Sequence, residues 1–326
     1  MNKSTVVIVD GHNVLIYAGY AKGTTTPEDV CRVFLSKVHN VVDTFLPDNV
    51  VVAWDMGKER WRQELLKGTY KGKRAFRDRS LQAKVVRTLT KKAGSLLMTL
   101  LPKMGIDQVW AVPRGEADDV IFSLLNGAMW SGRAIIVSSD SDLWQLVTPQ
   151  YRGSRPKLKV SVLPIRKIKT RQSQLNGLIG GKEVEERTGV WPANYVLYKA
   201  LVGDPSDNIP GVQGVGAKRA ARLVQKYSDP KELLPALSEA AKEFKVHALA
   251  FSEDVISRNL ALIKLVPPTG RIEHQPPELG DLVYDAANVL RAYHIQPDVR
   301  SAGSLGAWLD TFDALRERRA QWSIFW

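Results

Sequence analysis

Arg114-Gly-Glu-Ala-Asp-Asp119 places three carboxylates within four residues, directly ahead of a helical apolar pattern made by Val120, Ile121, Leu124 and Leu125. Acids at a helix start satisfy free backbone N–H groups and suit the positive end of the helix dipole. The alternative use is chemical, as one wall of a cation site. The balance is tipped by the rest of the chain, which supplies further acids in matching places.

Working outward, Gln108-Val-Trp-Ala-Val112 leads into the cluster as a strand. Thr5-Val-Val-Ile-Val9 is closed by Asp10, and Val50-Val-Val-Ala-Trp54 by Asp55. On the other side Arg133-Ala-Ile-Ile-Val137 runs into Ser138-Ser-Asp140-Ser-Asp142, and Lys157-Leu-Lys-Val-Ser-Val-Leu163 reads as one more strand. Short β-branched apolar runs of this kind are buried strands. Residues 28–45 and 93–104 carry apolar positions at helical spacing. This alternation predicts an α/β fold with a mostly parallel central sheet flanked by helices, in which ligands gather at the carboxyl ends of the strands. Asp10, Asp55, Asp140 and Asp142 then share one edge, with Glu116, Asp118 and Asp119 beside it.

A composition shift near Gly180-Gly181 divides the chain into an α/β core over 1–180 and a helical region over 181–326. In the second part the helix Tyr195–Val202 is stopped by Gly203-Asp204-Pro205, with Asp207 just beyond. Ile209-Pro-Gly-Val-Gln-Gly-Val-Gly216 then opens the helix Ala217–Tyr227. A glycine turn between two helices exposes N–H groups at the second helix start. With Lys218 and Arg219 adjacent, Gly211, Gly214 and Gly216 suit a phosphate site indifferent to base sequence, the alternative being that the glycines serve the turn alone. Between Lys58 and Lys92 cations outnumber acids without the interleaving of a solvated helix, which points to phosphate binding around Gly68–Arg74.

The 326 residues carry 46 Lys and Arg against 34 Asp and Glu, a net charge of +12 that suits a polyanionic partner. One cysteine, Cys31, excludes an internal disulfide, and five scattered histidines leave any metal site to oxygen donors, hence Mg²⁺ or Mn²⁺. No apolar run reaches the ~18 residues of a membrane span, and the chain opens straight into a strand, so a cytoplasmic protein is expected, in a bacterial cell or a phage-infected host. Nine carboxylates gathered without cations would repel one another. A basic protein that nonetheless concentrates them calls for two divalent ions about 3.5–4 Å apart, which can activate water and clamp a scissile phosphate.

The motifs VDGHN (9–13), WDMGKERWR (54–62), TYKGKR (69–74), GEADD (115–119), SSDSD (138–142) and GDPSDNIPGVQGVGAKRA (203–220) resemble, in order, the 5′-nuclease superfamily of flap endonucleases and 5′–3′ exonucleases. The likeness is greatest to small bacteriophage enzymes and to the 5′-nuclease domain of bacterial DNA polymerase I. It implies a PIN-like fold with a helical arch at about 64–95 and a helix-three-turn-helix DNA clamp at about 195–227. It implies that Asp10, Asp55, Glu116 and Asp118 serve mainly one metal and that Asp140, Asp142 and Asp204 serve the other. Asp118 would lie nearest both, with Asp119 and Asp207 outside them or at an additional ion. Lys71 and Arg74 would contact the scissile phosphate, Lys73 the DNA beside them, and Tyr70 would stack on the terminal base. A K⁺ ion bound by turn carbonyls belongs to the same pattern. The expected activity is metal-dependent 5′–3′ exonuclease and 5′ flap endonuclease action on DNA by a monomer. RNA-primer removal from RNA–DNA hybrids and non-catalytic binding of branched DNA are the alternatives.

Overall fold

The computed structural model describes residues 4–66, 80–127, 131–148, 158–243, 252–278, 287–288, 290–292, 294–300 and 302–320. Five parallel strands make the sheet: β1 (Ser4–Asp10), β2 (Asn49–Trp54), β3 (Asp107–Val112), β4 (Gly132–Val137) and β5 (Leu158–Leu163). They stand in the order β5-β4-β1-β2-β3, and β6 (Arg271–Gln275) joins β3 antiparallel at the far edge. The register pairs Val9 with Val52 and with Val137, so Asp10, Asp55 and Ser138 leave the sheet at one edge. Val6 to Val9 are almost completely buried because both sheet faces are covered, as β-branched runs without polar alternation require.

On one face, Val7, Val9, Val50 and Val52 pack beneath α1 (Gly11–Gly19), α2 (Pro27–Phe45), α4 (Leu81–Leu100) and the C-terminal α13 (Leu305–Ala320). The short helix α3 (Arg60–Leu65) lies between α2 and α4 in the chain. Helix α2 starts at Thr26, whose hydroxyl accepts from Asp29 N–H while the Asp29 carboxylate accepts from Thr26 N–H, a reciprocal cap that positions Pro27 at the first turn. On the other face, Val6, Ile8, Val51 and Ala53 meet α5 (Ala117–Asn126) and the helical region. Helix α6 (Arg171–Leu175) stays with the first face, its Gln174 side chain donating to Asn40 O and Thr44 Oγ1 of α2, and the helical region comprises α7 (Gly181–Thr188), α8 (Tyr195–Val202), α9 (Ala217–Lys226), α10 (Pro230–Leu233), α11 (Leu237–Glu243) and α12 (Glu253–Ile263).

Three features depart from the expected pattern. Helix α4 begins at Leu81, capped by Ser80, so the basic run up to Lys92 is helical well before residue 93. Helix α1 follows β1 without a loop. After α12 the chain returns to the sheet as β6, a strand with a single strongly apolar residue, Ile272, whose place is set by pairing with β3 rather than by periodicity. None of the helices among the described residues is long and apolar enough to cross a membrane.

Candidate active site

At the carboxyl edge of β1, Asp10 is 5% exposed and caps α1, its Oδ1 accepting from Asn13 N–H at 3.0 Å. Its Oδ2 accepts from Ser138 Oγ at 2.8 Å, and the same hydroxyl accepts from Asp140 N–H at 3.0 Å. Burial first, then the charges of Asp55 and Asp140, push the Asp10 carboxyl up to about 7, against the pull of the Asn13 and Ser138 hydrogen bonds. Carboxylates from β1, β2 and the turn after β4 therefore share one electrostatic site, as the strand-end pattern requires.

The capping question raised by the opening stretch has a divided answer. Glu116 occupies the N-cap of α5, yet its side chain makes no capping hydrogen bond. The N–H of Ala117 is instead taken by Asp55 Oδ1 at 2.6 Å, from the end of β2. Glu116 and Asp119 turn to Arg62 of α3. The guanidinium donates to Glu116 Oε2 at 2.7 Å and grips Asp119 with two parallel bonds of 2.5 and 2.9 Å. Arg62 and Asp119 are 2% and 0% exposed, and the Arg62 guanidinium lies 4.7 Å from the Trp61 ring. Asp118, one turn position away, is half-buried.

A second group of acids gathers around Lys199. From the middle of the apolar helix α8 its ammonium donates to Asp142 Oδ1 and, at 2.7 Å, to Asp204 Oδ2. Asp204 Oδ1 faces the other way, accepting from Ser206 N–H at 2.8 Å and Ser206 Oγ at 2.7 Å. Burial pushes Asp142 up to about 7, aided by Asp140 and Asp204 and opposed by Lys199. Asp204 is also penalised by burial, but Lys199 and Ser206 hold it down to about 2. Asp207 is 5% exposed, its N–H 3.4 Å from Asp204 Oδ1.

The glycine turn is built by close approach. Gly203 has φ +80°, and a Cβ there would lie 2.2 Å from Gly211 N; a Cβ on Gly211 would lie 2.1 Å from Val202 O. Buried Asn259 of α12 locks this contact, donating to Ala200 O at 2.9 Å and Pro210 O at 2.7 Å. Gly214 takes φ +81° and its carbonyl accepts from the Arg219 guanidinium, while a Cβ on Gly216 would meet nothing within 4 Å. Lys218 is exposed at the first turn of α9.

Tyr70, Lys71, Lys73 and Arg74 lie outside the described residues, as does the part 67–79 of the arch expected at about 64–95. The structure thus brings Asp10, Asp55 and Asp140 together, joins Asp142 to Asp204 through Lys199, and sets Glu116 and Asp119 on Arg62. Those two cations were missed as site members by sequence reasoning. Arg62 stood within a run expected to face phosphate, and Lys199 is the lone charge in Tyr195-Val-Leu-Tyr-Lys-Ala-Leu-Val202, which was its signal.

The donor set suits hard divalent cations: all oxygen, mostly buried, and with Asp10 and Asp142 raised first by burial and then by neighbouring carboxylates, Asp55 and Asp140 at Asp10 and Asp140 and Asp204 at Asp142. Among the described residues no three acidic, histidine or cysteine side chains converge closely enough to enclose an ion as placed. Glu116 and Asp119 are turned onto Arg62, and Asp142 and Asp204 onto Lys199.

A mostly parallel sheet with an acidic carboxyl edge, tied through Lys199 to a helix–glycine turn–helix, places the chain among α/β proteins whose site lies at the strand ends. The model of the 5′-3′ exonuclease N-terminal resolvase-like domain matches residues 5–189, and that of the 5′-3′ exonuclease C-terminal SAM fold matches 190–274. The chain belongs to the 5′–3′ exonuclease family and is a nuclease. It is 31% identical over 324 residues to a 5′-3′ exonuclease of Bacillus subtilis (strain 168), covering 94% of this chain and 99% of that one. It is 28% identical over 275 residues to a DNA polymerase I of Synechocystis, covering 81% of this chain but 26% of the polymerase. Among solved structures, the bacteriophage T5 D15 flap endonuclease with DNA and metal ions aligns with a TM-score of 0.62 at 21% identity, covering 96% of this chain and 99% of that one. That likeness carries the fold.

Proposed function

We propose that this chain is a divalent-metal-dependent 5′–3′ exonuclease that also cleaves 5′ flaps in DNA, with Mg²⁺ or Mn²⁺ at the acidic edge. The observation that carries the reading is the meeting of acids from β1, β2, β4 and the turn after α8 at one sheet edge, beside a glycine turn suited to backbone phosphates. Asp10, Asp55, Glu116, Asp118, Asp140, Asp142 and Asp204 are the proposed ligands. Bound ions would supply a nucleophilic water and neutralise the charge on the leaving oxygen.

The chain's own residues divide the remaining work. Ser138 orients Asp10 and the Asp140 backbone together. Asp55 fixes the start of α5 and so the height of Glu116 and Asp118. Gly216 and Lys218 present N–H groups and a cation to the duplex backbone without reading bases. Asp119 and Asp207, each engaged by its own neighbours, are assigned to the surround of the metal ligands rather than to direct coordination. Lys71, Arg74, Lys73 and Tyr70 are proposed to meet the scissile phosphate and the 5′ terminal base.

The test is cleavage of 5′-flap, nicked and blunt duplexes with Mg²⁺ and with EDTA. Expected are Mg²⁺-dependent 5′ products from the wild type and none from Asp118→Ala or Asp140→Ala. An intact flap in Mg²⁺, or cleavage unchanged in both variants, overturns the reading.

A further inference from the structure

Lys199 is 7% exposed in an otherwise apolar helix, and its ammonium touches two carboxylates from different parts of the chain, Asp142 after β4 and Asp204 after α8. Asp204 is pre-oriented for this: Ser206 holds Oδ1 through both N–H and hydroxyl, which leaves Oδ2 to accept from the Lys199 ammonium. Asp140 adds a third negative charge at this point. The slot is therefore shaped for a compact cation between fixed oxygens, and the chain fills it with one of its own.

The identity of the cation matters. An ammonium is a point charge with three donors on an unbranched stem, able to leave by rotation of its own side chain. It presents to Asp142 and Asp204 the same demand that a hard divalent ion makes, oxygen atoms bearing negative charge. Two cations cannot share those oxygens without repelling one another.

We propose that Lys199 is an exchangeable counter-ion and positioning residue, holding Asp142 and Asp204 at the spacing of a shared cation and yielding their oxygens when a divalent ion enters. The inference rests on the reading of this edge as a metal-dependent nuclease site. It makes the second metal position weaker than the first by construction, because occupancy there must displace an internal ion pair. The lysine then stands free at the rim of the acidic edge, on the side of the glycine turn.

The experiment is Mn²⁺ titration of the DNA-free full chain, followed by electron paramagnetic resonance and calorimetry, for wild type, Lys199→Met and Lys199→Arg. Expected for Lys199→Met is a second Mn²⁺ site tighter by about tenfold or more, the scale on which neighbours of metal ligands act, with the first site unchanged. Its thermal midpoint in EDTA falls below the wild type and is regained with Mg²⁺ by a larger shift than the wild type experiences. Lys199→Arg keeps the charge and adds a two-pronged grip, so its second site is weaker than in the wild type. That result decides the matter should the methionine variant not fold. A second-site affinity unchanged or weakened in folded Lys199→Met, or unchanged or tightened in Lys199→Arg, overturns the inference. Wild type that cleaves in Mg²⁺ while showing either result loses only this inference. Wild type that binds no Mn²⁺ loses the metal-site reading as well.

Discussion

Two nests of charge hold the acids at the sheet edge, and they are built differently. Around Arg62, a planar guanidinium grips Asp119 with two bonds, holds Glu116 with a third contact and stacks on Trp61, all within a nearly closed interior. Around Lys199, one ammonium bridges Asp142 and Asp204, whose side chains are 16% and 11% exposed. A fork of fixed geometry specifies one arrangement, whereas a point charge on a flexible stem is replaceable. The segment after α12 strengthens the first nest. Val266 N–H donates to Asp119, and Thr269 donates to buried Glu59 at the root of α3. The lesson is that one nest fixes where α5 presents its acids, and the other leaves its acids available for exchange.

The largest expected effect comes from breaking the fixed nest. Arg62→Ala leaves Asp119 charged and buried, at a cost of about 3–5 kcal/mol of folding stability, read as a lowered urea midpoint. Arg62→Lys restores the charge but not the fork and recovers only part of it. A midpoint unchanged in Arg62→Ala would make the two nests equivalent and end the distinction. Next, Asp140→Ala lowers flap cleavage by more than about a hundredfold, the scale at which even outer partners of metal ligands act. Its stability is unchanged or raised, because a charge opposing Asp10 and Asp142 is gone.

A smaller effect separates the glycines of the turn. Gly203→Ala meets backbone at 2.2 Å in a left-handed conformation and costs about 1–3 kcal/mol. Gly216→Ala meets nothing and stays within about 0.5 kcal/mol, so a loss of duplex affinity there reports on DNA contact alone. Denaturation and a binding titration on both variants separate the two roles.

The smallest effect lies far from either nest, at Asp107 beneath the C-terminal helix. It accepts from His274 at 2.6 Å and from two Arg319 nitrogens at 2.9 and 2.8 Å. Burial works to raise its carboxyl, but these partners outweigh it and hold the group below the usual range. With the folded value depressed, the contribution is complete above the unfolded pKa of about 4 and fades as pH falls through the folded value. Acid titration of stability should therefore be shallower in Asp107→Asn than in the wild type below about pH 4. Equal slopes would exclude Asp107 as an acid-sensitive tie.

Much of the edge was legible in one dimension. Asp10 and Asp55 close runs of valine and isoleucine that have no stable place except between two helical layers, and their position at strand ends follows from that. The roles of individual acids were not legible. Asp10 caps its own helix, Asp55 caps a helix 62 residues further on, and Glu116, at a capping position, caps nothing. Arg62 resembled the cations around it because a linear string does not say which of them turns inward. Arg271–Gln275 lacked strand alternation because its neighbour β3, not its own pattern, makes it a strand.

The sequence by itself determined the alternating α/β order, the acidic carboxyl edge and the glycine turn, since each rests on local chemistry: β-branched burial, strand-end geometry and backbone without Cβ. Tertiary structure alone decided which cation each carboxylate meets. Pairing across 57 residues between Arg62 and Asp119, and between Asp142 and Lys199, depends on how helices pack on the sheet, and packing is a property of the whole chain.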